Sequence, residues 1–237
     1  RAMSTPIFDW PIQVLTPAHP AFWPQGGLRQ GPDSASQLQL LDTLDGGPVW
    51  MARYAQIPVY CRDRVLAAQA VQGLAATLGL FRVWRRPAER GAVLGGVVGG
   101  QVIPGVPWSD ETSFSDGSLW SGVSTVASIT VSAELYATIV QVTVIDGAEI
   151  EAGMEFSVFD ATAGWRMHRI TRVLGVVGAV SELEIMPPLR FDVSAAQVAD
   201  FMNPSCTMRM TNWQTFLQML EWNRWADLTA EFEEARW

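Results

Sequence analysis

Lysine is absent from this chain: all 16 basic residues are arginine, set against 24 carboxylates for a net charge of −8 at neutral pH. The densest basic stretch, Arg82, Arg85, Arg86 and Arg90, has the look of a solvated face after a helix. Phosphate backbones are held by clustered positive charge that releases counterions, so sequence-specific nucleic-acid binding is excluded. Long hydrophobic runs are missing too. No stretch reaches the ~18 to 20 consecutive apolar residues of a membrane helix, and residues 1–11 lack the apolar core of a signal peptide. The expectation is a chain folded in the cytoplasm, with no membrane insertion.

Cysteine and histidine are equally scarce. Cys61 and Cys206 lie far apart, with no CxxC and no histidine at ligand spacing, so no zinc site is encoded and both thiols are expected to be buried and free. His19 and His168 are the two histidines, too few for a His-based metal centre or triad, and each is expected to be structural or exposed. GxSxG and HExxH are absent. The string GGVVGG at 95–100 is followed by neither Lys-Ser/Thr nor a helix, which excludes a phosphate cradle. Carboxylates for a glycan hydrolase are best sought in Asp110, Glu111 and Asp116, between Trp108 and Trp120, but PWSDETSFSDGS reads more simply as a solvated turn and lacks the alternating oxygens of a calcium loop. No catalytic residue, cofactor or metal is expected.

What the chain does have is apolar mass. Of its 237 residues 49% are hydrophobic and 17% charged, so folding should bury roughly 70 to 75% of the surface of the unfolded chain without help from disulfides or metals. Eleven residues are tryptophan, and Trp with Arg is the pairing that dominates buried protein–protein contacts. Along the chain, residues 1–35 are rich in proline with scattered aromatics and read as an extended arm. Ser36 to Leu44 and Val49 to Val59 read as two strands of a hairpin around Asp45-Gly46-Gly47-Pro48. Asp63 is a capping candidate, and Ala67, Val71, Leu74 and Leu78 form one helical stripe ended by Gly79. Leu80 to Trp84 reads as a strand pairing nearby. Residues 91–107 form a Gly-rich linker or loop.

Residues 108–205 then form a compact β module, with strands over 124–131, 139–145, 154–159, 165–174 and 182–185. Met154, Phe156 and Val158 alternate with Glu155 and Ser157, as a half-wet sheet requires. Cys206 to Met210 alternates again. Trp213, Phe216, Leu217 and Leu220 fit a helical face. At the end Leu228, Ala230 and Phe232 alternate with Asp227, Thr229, Glu231 and Glu233, a strand with its acids outward. The fold class expected is mainly β with one amphipathic helix: a platform sheet or sandwich from 36–90 with 206–237, carrying an inserted small β-barrel-like module.

Two stretches carry a resemblance: Pro107-Trp108-Ser109-Asp110 with Phe114-Ser115-Asp116-Gly117, and Ile185-Met186-Pro187-Pro188-Leu189-Arg190 through Asn203-Pro204-Ser205-Cys206-Thr207-Met208-Arg209-Met210. With GAEIEAGMEFSVFD between them, their order resembles the distal or minor tail proteins of long-tailed bacteriophages over roughly residues 36–237. The resemblance implies an architectural virion protein: a homo-oligomeric ring, a hexamer, joining the tail tube protein to the baseplate hub, with the tape measure protein and DNA passing its lumen. A net negative charge suits a channel that DNA must cross without sticking. Trp10, Phe22 and Trp23 in the arm, Arg85 and Arg86 after the helix, and Trp213, Trp222 and Trp225 near the C-terminus are the expected interface residues. The rival expectation is a carbohydrate-binding module for host recognition that stacks sugars on Trp108, Trp120 and Trp165.

Overall fold

The computed structural model describes residues 6–26, 28–33, 39–43, 47–77, 79–85, 97–98, 101–102, 125–146, 149–217 and 226–235. The chain divides into two compact units. One comprises Arg1–Arg85, Asp160–Arg166 and Ser205–Trp237, the other Arg86–Phe159 and Met167–Pro204.

The first unit is built on a six-stranded sheet. Its strands are β1 (Ile7–Asp9), β2 (His19–Gln25), β5 (Val49–Val59), β6 (Leu80–Trp84), β15 (Ser205–Met210) and β16 (Ala226–Glu234), in the order β1-β6-β15-β16-β5-β2. The β1–β6 pair is parallel and the other pairs antiparallel. Strands β3 (Leu28–Asp33) and β4 (Gln39–Thr43) pair with each other. The alternation expected for β16 is present: Leu228, Ala230 and Phe232 are buried, and Asp227 and Glu231 are exposed. Strand β5 keeps Trp50, Ala52 and Tyr54 on one face and then changes parity. Gln56 takes a left-handed φ of 52° where the register with β16 shifts, the signature of a bulge, and Ile57 and Val59 return to the core.

The N-terminal segment is not a free arm. β1 and β2 are the two edge strands of this sheet, and the prolines that argued against a strand, Pro20 and Pro24, lie in β2, where an edge tolerates a missing ladder donor. The expected hairpin between 36–44 and 49–59 does not form either. β4 pairs with β3, while β5 takes β2 and β16 as neighbours, because an apolar strand in a sheet interior needs a partner on each side. β6 likewise pairs with β1 and β15, both distant in sequence.

The helix α1 (Arg62–Ala76) is the one described helix and sits near its expected place, with Cys61 rather than Asp63 at its N-cap and Asp63 in its first turn, where a carboxylate complements the helix dipole. Its buried stripe is Ala68, Val71 and Ala75, one position away from the expected stripe except at Val71. Leu78 lies outside the described residues. Gly79 donates its backbone N–H to Leu74 O at 3.0 Å, and a Cβ there would sit 2.7 Å from that oxygen; glycine is required by close approach. Of the tail stretch 213–225, the described part, through 217, is a run of turns with Phe216 buried.

The second unit is a closed barrel. Its strands are β9 (Val126–Ile129), β10 (Ile139–Asp146), β11 (Glu155–Asp160), β12 (Gly164–Val177), β13 (Val180–Met186) and β14 (Val198–Asp200), in the circular order β10-β13-β12-β11-β14-β9. The pair β7 (Val97–Val98) and β8 (Gln101–Val102) precedes it. Inward residues from each strand, among them Ile129, Val142, Phe156, Ile170, Leu183 and Ala199, make one core, and a fully buried side chain such as Phe156 contributes about 1.5–3 kcal/mol. Ser157 departs from its expected wet face and is buried. Short β14 closes the cylinder by pairing with both β9 and β11, which removes the open edges.

At the heart of the sheet unit Trp10 is only 1% exposed. Its ring centroid lies 5.3 Å from Phe232, 5.6 Å from Tyr54, 6.2 Å from Phe81 and 6.3 Å from Phe216, each edge-on, and its Nε1–H donates to Leu15 O at 3.0 Å. Trp10→Ala should therefore lower unfolding free energy by about 3–5 kcal/mol, and Gly79→Ala by roughly 1–3 kcal/mol, in chemical denaturation, whereas Trp23→Ala on the exposed face of β2 should change it by less than about 0.5 kcal/mol.

Candidate interaction surfaces

The residues expected at an interface separate by strand parity. On β2, Phe22 faces Ala52 and Trp23 faces Met51. Phe22 is half-buried, its ring 6.2 Å from Tyr54, and Trp23 is 40% exposed on the opposite face. Trp10 belongs to the core, as shown above, which corrects its expected place at the surface. Arg85 and Trp213 are half-buried, and the Trp213 carbonyl accepts a bond from Gln72 Nε2 at 3.0 Å. Arg86, Trp222 and Trp225 lie outside the described residues, as do Trp108, Trp120, Asp110, Glu111 and Asp116.

Trp165 is described, and its ring is occupied. The Arg82 guanidinium lies 3.9 Å from the ring centroid, a cation–π contact, while Arg82 Nε donates to Ser205 Oγ at 2.9 Å. On that face of the ring a sugar would have to displace a charged group that is also hydrogen-bonded to Ser205. His168 is buried against Phe156, with Nδ1 2.8 Å from Pro187 O, a structural position. Cys206 is buried as expected, but Cys61 is exposed at the start of α1, because an N-cap lies at the end of the helix rather than on its packed stripe. Among the described residues no group of three or more His, Cys, Asp or Glu is placed to hold a metal, and no helix is long and apolar enough to cross a membrane.

The outward face of the sheet carries paired charge. Arg53 lies 3.7 Å from Glu231, and Arg209 lies 3.8 Å from Glu233; both pairs are exposed and each is worth at most ~1 kcal/mol. On the barrel, Arg169 pairs with Glu155 at 2.7 Å, and partial burial lowers the Arg169 pKa from its ordinary value. One pair is different in kind. Arg166 and Glu234 are 1% and 3% exposed, with Nη1 3.3 Å from Oε1. Arg166 Nη1 also donates to Ala235 O at 2.6 Å, and the other Glu234 oxygen accepts the Trp50 N–H at 3.0 Å. Sequence reasoning missed this pair, although a signal existed: Glu234 continues the buried parity of Leu228, Ala230 and Phe232, and a carboxylate on that face demands a buried cation and donors.

The barrel unit carries a number of uncovered apolar side chains. The turn after Val131 presents Leu135 and Tyr136, with Tyr136 held at φ 67° by its N–H bond to Leu189 O. The tip of the β12–β13 hairpin presents Leu174, Val176 and Val177. No protein-family model matches the chain, and no curated protein matches its sequence.

Removal of one member of the buried pair strands the other charge. Glu234→Ala is expected to cost about 3–5 kcal/mol, and an Arg166→Met/Glu234→Leu double replacement much less than the sum of the single losses, as measured by denaturant unfolding in a double-mutant cycle.

Proposed function

We propose that the chain is a structural subunit of a bacteriophage tail tip, forming a homo-oligomeric ring, a hexamer, that joins the distal end of the tail tube to the baseplate hub. The observation that carries this reading is where the barrel is inserted. Strands β6 and β15 are hydrogen-bonded neighbours in register from Ser205↔Trp84 to Met208↔Phe81, and the barrel strands lie between them in the chain. A strand-helix-strand start followed by a small β module is compatible with the order of the quoted motifs in distal tail proteins, and the sheet that closes across the insertion point supports this reading. Such a platform can hold a ring while the inserted module adapts to its neighbours.

Further support comes from composition. A ring needs heterologous surfaces that close, and the chain displays apolar residues on the barrel unit and Trp23 on the sheet unit. The net charge of −8 is suited to a lumen crossed by DNA without adhesion. The carbohydrate-binding alternative has less to rest on, since Arg82 occupies one face of the one described tryptophan of its proposed three.

Light scattering across the micromolar range, at low and high salt, with and without the cognate tail tube protein, tests the reading. A discrete closed species, formed alone or on addition of tube protein, is expected. A monomer that ignores tube protein and whose tryptophan fluorescence is quenched by glycans would transfer the assignment to the carbohydrate-binding class.

A further inference from the structure

Two turns of the barrel unit, within residues 129–140 and 189–200, are built alike. Each segment starts at a buried aliphatic residue, Ile129 or Leu189, and passes through one side of an isolated β-bridge, Ala133 or Val193. Each then turns at a left-handed residue, Tyr136 at φ 67° or Ala196 at φ 65°, and leads into a strand, β10 or β14. With Ala133 set against Val193, no equivalent position carries the same residue in both segments. The likeness lies in the backbone.

The two turns are also bonded to each other, and the bonds come in reciprocal pairs. Ala133 N–H donates to Val193 O at 3.0 Å, and Val193 N–H to Ala133 O at 2.9 Å. Tyr136 N–H donates to Leu189 O at 2.9 Å, as Ala196 N–H does to Ile129 O at 2.8 Å. Leu189 N–H donates to Ala137 O at 2.9 Å, as Ile129 N–H does to Gln197 O at 2.8 Å. Even the side-chain caps correspond, each coming from the residue before the bridge. Asp192 Oδ1 accepts the Leu135 N–H at 2.7 Å, and Ser132 Oγ accepts the Ala195 N–H at 3.1 Å. These pairs describe a local two-fold axis through the Ala133–Val193 bridge.

The ladders on the two sides of that axis differ in length. On one side the bonds run into β10–β13, paired from Ile139↔Glu184 to Thr143↔Val180; on the other they run into β14–β9, paired from Val198↔Ser128 to Asp200↔Val126. β14 has three residues, and its one described ladder pair with β11 is Ser157↔Asp200, beside which Gln197 Nε2 donates to Phe159 O. So short a strand brings few ladder bonds of its own, yet without it β9 and β11 would be left as open edges. Neither left-handed position is glycine, so local preference does not set these turns; the bonds across the axis do. We infer that the two turns form a single two-fold clasp that opens and closes as a unit, and that it carries the support of the β10–β13 ladder across the axis to hold β14 in the barrel. Ser132 and Asp192 are its equivalent caps. Leu135 and Tyr136 are not required by it, because Ala195 and Ala196 build the same turn.

Hydrogen exchange of the full-length protein, followed by mass spectrometry, reads such local opening. In Ser132→Ala and in Asp192→Ala, exchange over both 129–137 and 189–197 should quicken by one common factor, roughly two- to tenfold for the loss of one hydrogen bond, with the β12–β13 ladder unchanged. Asp192→Asn keeps an acceptor oxygen and should exchange like the wild type. Leu135→Ala/Tyr136→Ala gives the first turn the residues of the second and should stay within about twofold of the wild type, as a surface substitution does. Quickening confined to the arm that lost its bond, or seen in neither arm, would overturn the unit. An equal rise over β12–β13 would show the whole barrel opening at once and overturn the clasp as a separate closure. Faster exchange in Leu135→Ala/Tyr136→Ala would overturn the equivalence of the two turns. The inference stands apart from the proposed ring, which is tested by particle size.

Discussion

A carboxylate taken out of water must find its charge and hydrogen bonds inside the protein, and Glu234 finds them at Arg166 and at the Trp50 backbone. The rest of the sheet unit is arranged around that requirement. Glu234 ends β16, which lies between β15 and β5. Trp50 begins the apolar face of β5, and Arg166 comes from the 160–166 segment grouped with this unit. The same segment is held again where Trp165 N–H donates to Thr207 Oγ1 at 2.9 Å, and where a side chain on Gly164 would come within 2.4 Å of that oxygen. A buried pair of this kind adds little net stability against a well-packed apolar alternative, but its disruption is costly. Its effect is to penalise any register of β16 other than the native one.

The last strand in the chain is therefore an interior strand of the sheet, and its contacts span nearly the whole sequence. Glu234 and Trp50 are 184 positions apart. Closing such loops costs entropy before any contact repays it, so the platform depends on strands far apart in the sequence, whereas most barrel pairings are made over shorter separations. The two units thus differ in how they are secured: a platform held by non-local pairing, and an inserted cylinder with closed edges whose hairpin tip and turns carry exposed apolar side chains.

Local pattern identified α1, most of the barrel strands and β16, because in each the period of apolar residues matches the period of the element. Proline content misled the reading of residues 1–35, since proline reports a missing donor but not whether that donor would face a neighbour or an edge. The hairpin expected between 36–44 and 49–59 failed for a related reason: two adjacent strand-like segments need not pair when each has a better partner elsewhere. Trp10 was legible as a large aromatic but not as the centre of an aromatic core, and Phe22 and Trp23, adjacent in sequence, part to opposite faces of β2. Arg166 and Glu234 looked like two more charges among many.

Composition and periodicity thus determined the class of this protein: a mainly β chain with one amphipathic helix, an inserted β module, and an acidic balance free of lysine. Those properties are carried by each residue and its near neighbours, and they survive whatever the rest of the chain does. Pairing order, the assignment of Trp10 to the core, the burial of one ion pair and the exposure of the β12–β13 tip were decided only in three dimensions, because each depends on which distant surface covers a given side chain. Valine at position 177 and valine at position 142 are the same residue in strands of the same kind. One lines the barrel and the other stands in solvent, and the difference is the extent of the neighbouring strands.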